Sequence, residues 1–73
     1  MSTEASTIEI TVNGESTTAR RGGNVLDLLQ ALGIKPDRVA VELNREIVKQ
    51  RDWAWTIVEA GAHVEIVQFV GGG

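Results

Sequence analysis

The sequence contains no cysteine, one histidine and one proline among 73 residues. The first absence excludes disulfides, thiolate nucleophiles and cysteine-rich metal sites together, and it fits a reducing compartment. With His63 the lone histidine, no histidine pair can hold a metal, and any Ser–His couple would have to use that one residue. No run of apolar residues approaches the ~20 needed to cross a bilayer. The opening "MSTEAST" lacks the basic start and apolar middle of a secretion signal. Basic residues are also in short supply. The formal charge of -3 lacks the positive footprint of a nucleic-acid binder, and Arg20–Arg21 is the one adjacent basic pair. The expectation is a soluble cytoplasmic protein that binds neither nucleic acid nor membrane.

What is present is a globular composition, 42% hydrophobic and 23% charged, in a length that holds one domain. Chains this short bury only about 60% of their unfolded surface, so one apolar core must carry the stability. Residues 1–70 read as a single domain with residues 1–7 flexible, followed by a flexible glycine tail over 71–73. "IEITV" alternates Ile8, Ile10 and Val12 with Glu9 and Thr11, the period of a half-buried strand. Asn13–Gly14 suits the positive φ angles of a tight hairpin, and the threonine-rich "ESTTA" returns as a second strand. The period then changes. Val25, Leu28, Leu29 and Leu32 fall at i, i+3, i+4 and i+7, one face of a helix. Asn24 is placed to cap it, Asp27 to complement its positive end, Gly33 to end it and Pro36 to prevent its continuation.

"VAVELN" alternates again, with Val39, Val41 and Leu43 on one face, and "REIVKQ" adds a short extended piece around Ile47 and Val48. The irregular pattern of Arg51–Ile57 leaves its geometry open, with Trp53 and Trp55 reading as core or edge packing. "HVEIVQFV" is a last strand that runs into the glycines. Strands this short must share one sheet with the helix across it, and the first and last strands are expected to pair in its middle. The order matches an α+β, β-grasp (ubiquitin-like) fold: a mixed sheet of four to five strands with one main helix packed across it.

Independent catalysis finds little support. His63 reads as a strand-surface residue, and Glu42, Glu46, Glu59 and Glu65 as solvated carboxylates that could pair in space. Gly22–Gly23 precedes the helix but lacks the lysine and spacing of a phosphate loop, so it reads as a turn. Lys35, Arg38, Arg45, Lys49 and Arg51 are interleaved with acids, which describes a solvated surface. The tail is different. Gly71, Gly72 and Gly73 carry no Cβ and can thread a narrow channel extended. The α-carboxylate that Gly73 would present is ionised at neutral pH. It can attack the α-phosphate of ATP when a partner enzyme supplies nucleotide and Mg²⁺, and the acyl-adenylate is then open to a sulfur nucleophile. A frayed end or a cloning remnant would have the same composition.

From "ITVNGE" through "NVLDLL" and "VAVELNREIVKQRDW" to "IVEAGAHVEIVQFVGGG", the chain resembles the ThiS family, the ubiquitin-like sulfur carriers of thiamine (thiazole) biosynthesis. The resemblance spans roughly residues 8–73, and the "VAVELNREIV" block followed by Trp53 is its most specific part. Departures are the triglycine made by Gly71, the extended start at residues 1–7, and Ala62 where the family often has an acidic turn residue. The resemblance implies a protein co-substrate rather than an enzyme, binding no cofactor of its own. A ThiF-like adenylyltransferase would adenylate the Gly73 carboxylate with ATP and Mg²⁺. A persulfide donor would supply the sulfur of a Gly73 thiocarboxylate, and a ThiG-like thiazole synthase would take it, with the free carrier monomeric. Absence of cysteine then means that no side-chain persulfide can do this work.

Strict alternation in the last strand sends Val64 and Ile66 toward the helix, Val67 and Phe69 outward and Gln68 inward. Val67, Phe69 and Val70 are therefore candidates for docking a partner next to the tail; a bulge would instead bury Phe69. Other readings are a small subunit of molybdopterin synthase, a ubiquitin-like modifier that joins lysines through Gly73, and a non-catalytic β-grasp interaction module.

Overall fold

The computed structural model describes residues 6–69. Strand β1 (Thr7–Val12) and strand β2 (Glu15–Arg20) form an antiparallel hairpin. Val12 faces Glu15, so Asn13 and Gly14 alone make the turn, at φ 51° and 84°. Two successive positive φ angles match the right-handed twist of the flanking strands, which is why Asn-Gly is favoured there. Pairing begins at Thr7, opposite Arg20, inside the stretch that composition assigns to a flexible start.

Helix α1 (Val25–Ala31) follows. The Asp27 N–H donates to Asn24 Oδ1 at 2.7 Å and the Asn24 N–H donates to Asp27 Oδ2 at 2.9 Å, a reciprocal capping box. Asn24 Nδ2 also donates to the Ala54 carbonyl at 2.8 Å, tying the helix start to a 3-10 turn 30 residues on. Val25, Leu28 and Leu29 are buried, but Leu32, placed by spacing on the same face, stays 37% exposed. The reason lies in how the helix stops. The Ile34 N–H donates to the Leu29 carbonyl and the Gly33 N–H to the Gln30 carbonyl, the paired bonds of a Schellman ending, with Gly33 at φ 73°. That ending turns Ile34 rather than Leu32 back onto the core.

After a 3-10 turn over Pro36–Arg38, strand β3 (Val39–Leu43) and strand β4 (Glu46–Val48) form a second hairpin. Its turn residues Asn44 and Arg45 also have positive φ, 53° and 73°. The Arg51–Ile57 segment lies largely in a 3-10 helix, Gln50–Trp55. With about three residues per turn, positions two apart point different ways. Trp53 is buried with its indole N–H donating to the Val48 carbonyl at 2.7 Å, whereas Trp55 is 70% exposed.

Strand β5 (His63–Gln68) completes one sheet in the order β2-β1-β5-β3-β4. It runs parallel to β1 and antiparallel to β3, so the first and last strands pair centrally. The core comprises Ile8 and Ile10 of β1, the helix face, Val39 and Val41, Trp53, Val58, Ala62, and Val64 and Ile66 of β5. Ala62, where an acidic turn residue is common in the resembled family, is a buried core member here. A hairpin, a helix across the sheet and a central parallel pair define the β-grasp fold.

Candidate functional site

β5 carries the chain toward the glycines, and the geometry at its exit defines the site. Val70, Gly71, Gly72 and Gly73 lie outside the described residues. Phe69, the last described, still belongs to the sheet: its N–H donates to the Arg38 carbonyl at 2.8 Å, continuing the register that pairs Gln68 with Val39. At the other end the Asn44 N–H donates to the His63 carbonyl at 2.7 Å. An antiparallel ladder alternates its bonded pairs. His63, Glu65, Val67 and Phe69 therefore turn their backbone groups to β3, and Val64, Ile66 and Gln68 turn theirs to β1.

The side chains alternate between the two faces of the sheet. Val64 and Ile66 are buried under the helix, while Val67 and Phe69 are each 58% exposed on the opposite face. Phe69 is not drawn into the core by a bulge. Gln68, expected to point inward, is exposed. It shares a shallow groove with Gly33, Ile34, Lys35, Arg38, Val39 and Phe69. Here the sheet outruns the short helix, so a residue on the core side still meets water.

Two further residues join the open face. Ala40 sits directly across from Val67, and Ile47, 72% exposed, sits across from Glu42. The alternation of Ala40 with buried Val39 and Val41 was the available signal for the first, and Ile47 reaches the face through its pairing with Glu42. Glu42 also faces Glu65 across the β3–β5 pair, placing two like charges side by side, an unfavourable arrangement in isolation. The face thus combines apolar Ala40, Ile47, Val67 and Phe69 with a polar border, where Arg45 and His63 share a hollow with Glu42 and Glu65.

His63 is exposed and lines one open hollow with Glu42, Asn44, Arg45 and Glu65; its backbone N–H donates to Asn44 Oδ1 at 2.9 Å. Among the described residues no group of three or more His, Asp or Glu side chains is placed to hold a metal, and no helix is long and apolar enough to cross a membrane. Glu46 faces Leu43 across β3–β4, and Glu59 is exposed in the loop before β5. Gly22, at φ 81°, forms a turn.

One feature of the exit is invisible in sequence. β1 ends at Val12, level with Val64, yet β5 continues. The Asn13 N–H donates to the Val64 carbonyl at 2.8 Å. Its side chain then meets the next β1-facing residue of β5 twice: the Ile66 N–H donates to Asn13 Oδ1 at 2.8 Å, and Asn13 Nδ2 donates to the Ile66 carbonyl at 3.2 Å. The amide of a turn residue takes the place of a further β1 peptide.

A model of the ThiS family matches residues 5–73. The chain belongs to the ThiS family. Within this family's structures, the crystal structure of the thiamine biosynthesis protein ThiS from Geobacter metallireducens is 38% identical, with a TM-score of 0.79 covering 90% of this chain and 100% of that one. The sulfur carrier protein ThiS of Escherichia coli is 29% identical over 66 residues, 90% of this chain and 100% of that protein. A thiazole synthase of Magnetococcus marinus is 35% identical over 66 residues, covering 90% of this chain but 20% of that protein. The chain thus spans about a fifth of the length of the thiazole synthases it matches. The ThiS match runs across the strands that build the open face and through the glycines that follow β5.

Proposed function

We propose that this chain is a sulfur carrier for thiazole formation in thiamine biosynthesis, and that Gly73 is its reacting residue. A ThiF-like adenylyltransferase, using ATP and Mg²⁺, joins the Gly73 carboxylate to AMP with loss of pyrophosphate. The terminal sulfur of a persulfide donor displaces AMP to give an acyl disulfide. A thiol then cleaves its S–S bond and leaves as a disulfide with the donor, and the resulting thiocarboxylate gives its sulfur to a ThiG-like thiazole synthase. The chain acts as a cytoplasmic co-substrate, not as a catalyst. The observation that carries this reading is a ThiS match extending through residue 73 on a strand whose exit presents Val67 and Phe69 to solvent. Similarity to part of a thiazole synthase favours the thiazole branch over a molybdopterin partner.

The chemistry suits the geometry. Gly71, Gly72 and Gly73 offer no side chains to obstruct successive enzymes. Val67 and Phe69, joined by Ile47 and Ala40, form a docking face a few residues before the reacting group in sequence, and the partner would complement Glu42 and Glu65 with positive charge. The test is intact-protein mass spectrometry after incubation with a ThiF-type enzyme, Mg-ATP and a sulfur source. A gain equal to exchange of one oxygen for sulfur, confined to the C-terminal peptide, supports the proposal. With verified reagents, failure to form either adenylate or thiocarboxylate refutes it. Deleting Gly72–Gly73 separates a carrier, which loses function, from an interaction module, which keeps it.

A further inference from the structure

We propose that Asn13 is a positioning residue for the reacting tail: its side chain fixes the backbone of Ile66 and so sets the direction in which β5 delivers the chain to its partner. The inference rests on the carrier reading above. β3 holds the exit strand from one edge, through Val67 opposite Ala40 and the Phe69–Arg38 bond. On the other edge β1 has turned away at Asn13 and Gly14. There the exit half of β5 is secured by the two Asn13 side-chain bonds to Ile66. The pair is part-buried and links positions 53 residues apart.

The amide is suited to this task because it presents a donor and an acceptor in one plane, matching the C=O and N–H of a single β5 residue. Asparagine also tolerates the positive φ of the turn. Aspartate would keep the acceptor for the Ile66 N–H but set a carboxylate oxygen against the Ile66 carbonyl. Glycine would keep the turn and lose both bonds. A tail held from one edge only sweeps a wider range of directions. Adenylation, which needs the carboxylate within attacking distance of phosphorus, is sensitive to such misplacement.

Asn44 provides an internal control. It also occupies a positive-φ turn position and accepts from the N–H of a β5 residue, but that residue is His63, at the strand's entry and on the β3 edge. Asn13→Gly thus releases two side-chain bonds at the exit of β5, and Asn44→Gly releases one at its entry. The experiment compares adenylation kinetics of the wild-type chain and both variants with a ThiF-type enzyme, alongside amide hydrogen exchange and thermal melting. Expected for Asn13→Gly are faster exchange at Ile66 and a kcat about tenfold lower, the size of effect that small misplacements produce. Its KM should change less than about twofold, because β3 still holds Val67 and Phe69 in the docking face. Asn44→Gly should speed exchange at His63 and leave kcat within about twofold. Asn13→Asp, which keeps the acceptor for the Ile66 N–H but sets an oxygen against its carbonyl, should lower kcat as Asn13→Gly does with a smaller rise in exchange at Ile66. Equal kinetic losses in the two glycine variants, or wild-type kcat in Asn13→Gly with its Ile66 amide released, overturn the assignment to Asn13 while leaving the carrier reading intact. A wild-type chain that is not adenylated refutes the carrier reading and this inference with it.

Discussion

Substituting Phe69 by serine separates a docking residue from a core residue. Phe69 retains 58% of its accessible surface, so less than half of the ring's area is withdrawn from water. An aromatic side chain buries about 150–250 Å² when fully enclosed. At about 25 cal/mol per Å², the covered fraction sets a ceiling of about 2 kcal/mol. Part of that cover belongs to backbone, and unfolded chains already shield some apolar area, which brings the expected cost to about 1 kcal/mol. A Phe locked in the core would cost about 3–5 kcal/mol. Transfer should respond more strongly. A central aromatic at an interface contributes about 2 kcal/mol or more, or roughly thirtyfold in kcat/KM for adenylation. Urea denaturation followed by tryptophan emission gives the first quantity; adenylate formation at varied carrier concentration gives the second. A stability loss above about 3 kcal/mol, with normal transfer per folded molecule, would refute the docking role.

Three further substitutions probe the scaffold beneath the open face. Leu29→Ala removes a side chain 1% exposed and should cost about 2–5 kcal/mol, much of the roughly 4–11 kcal/mol expected for a 73-residue chain; a urea midpoint close to wild type would contradict the packing. Asn24→Ala deletes the capping acceptor and the tie to Ala54, with an expected loss of about 1–2 kcal/mol by the same assay. A loss below about 0.5 kcal/mol would show the box to be dispensable. Arg45→Gly relieves a non-glycine φ of 73° and should stabilise by about 0.5–1 kcal/mol after the extra chain entropy of glycine is counted; a lower melting temperature would mean that the arginine side chain contributes more than its backbone costs.

Where the chain's local chemistry and its tertiary role coincide, the sequence was readable. Asn13–Gly14 forms the hairpin its φ preferences favour, Asn24 and Asp27 cap the helix they precede, and the alternation of Val64, Ile66, Val67 and Phe69 survives to the end of β5. Reading failed where a second element intervened. Leu32 obeys helical spacing but falls at the cap, where the Schellman bonds redirect the chain and pack half-buried Ile34 against the core instead. Trp53 and Trp55 could not be assigned because a single stretch of 3-10 helix has no repeating apolar signature. Gln68 follows the expected pleat, but the helix that would cover it has ended. The Asn13 clamp on Ile66 joins residues whose relation exists only once β1 and β5 are neighbours. Ile47 and Ala40 likewise reach the open face through pairing.

The central place of β5 has a consequence for how the molecule is made. β5 is the last of the described elements to be synthesised, yet β1 and β3 have no contact through the sheet until it lies between them. A nascent chain that has emerged only through β4 holds two separate hairpins and a helix with part of its apolar face uncovered. Such non-local strand pairing is slow relative to hairpin closure, and incomplete sheets expose edges that favour aggregation. Translation must therefore pass His63–Gln68 before the sheet can close, and insertion of that strand is the same event that brings the exit toward the glycines into place. A misfolded or truncated chain would lack the organised open face along with its core, so any partner that reads this face would discriminate finished molecules from unfinished ones without a separate inspection step.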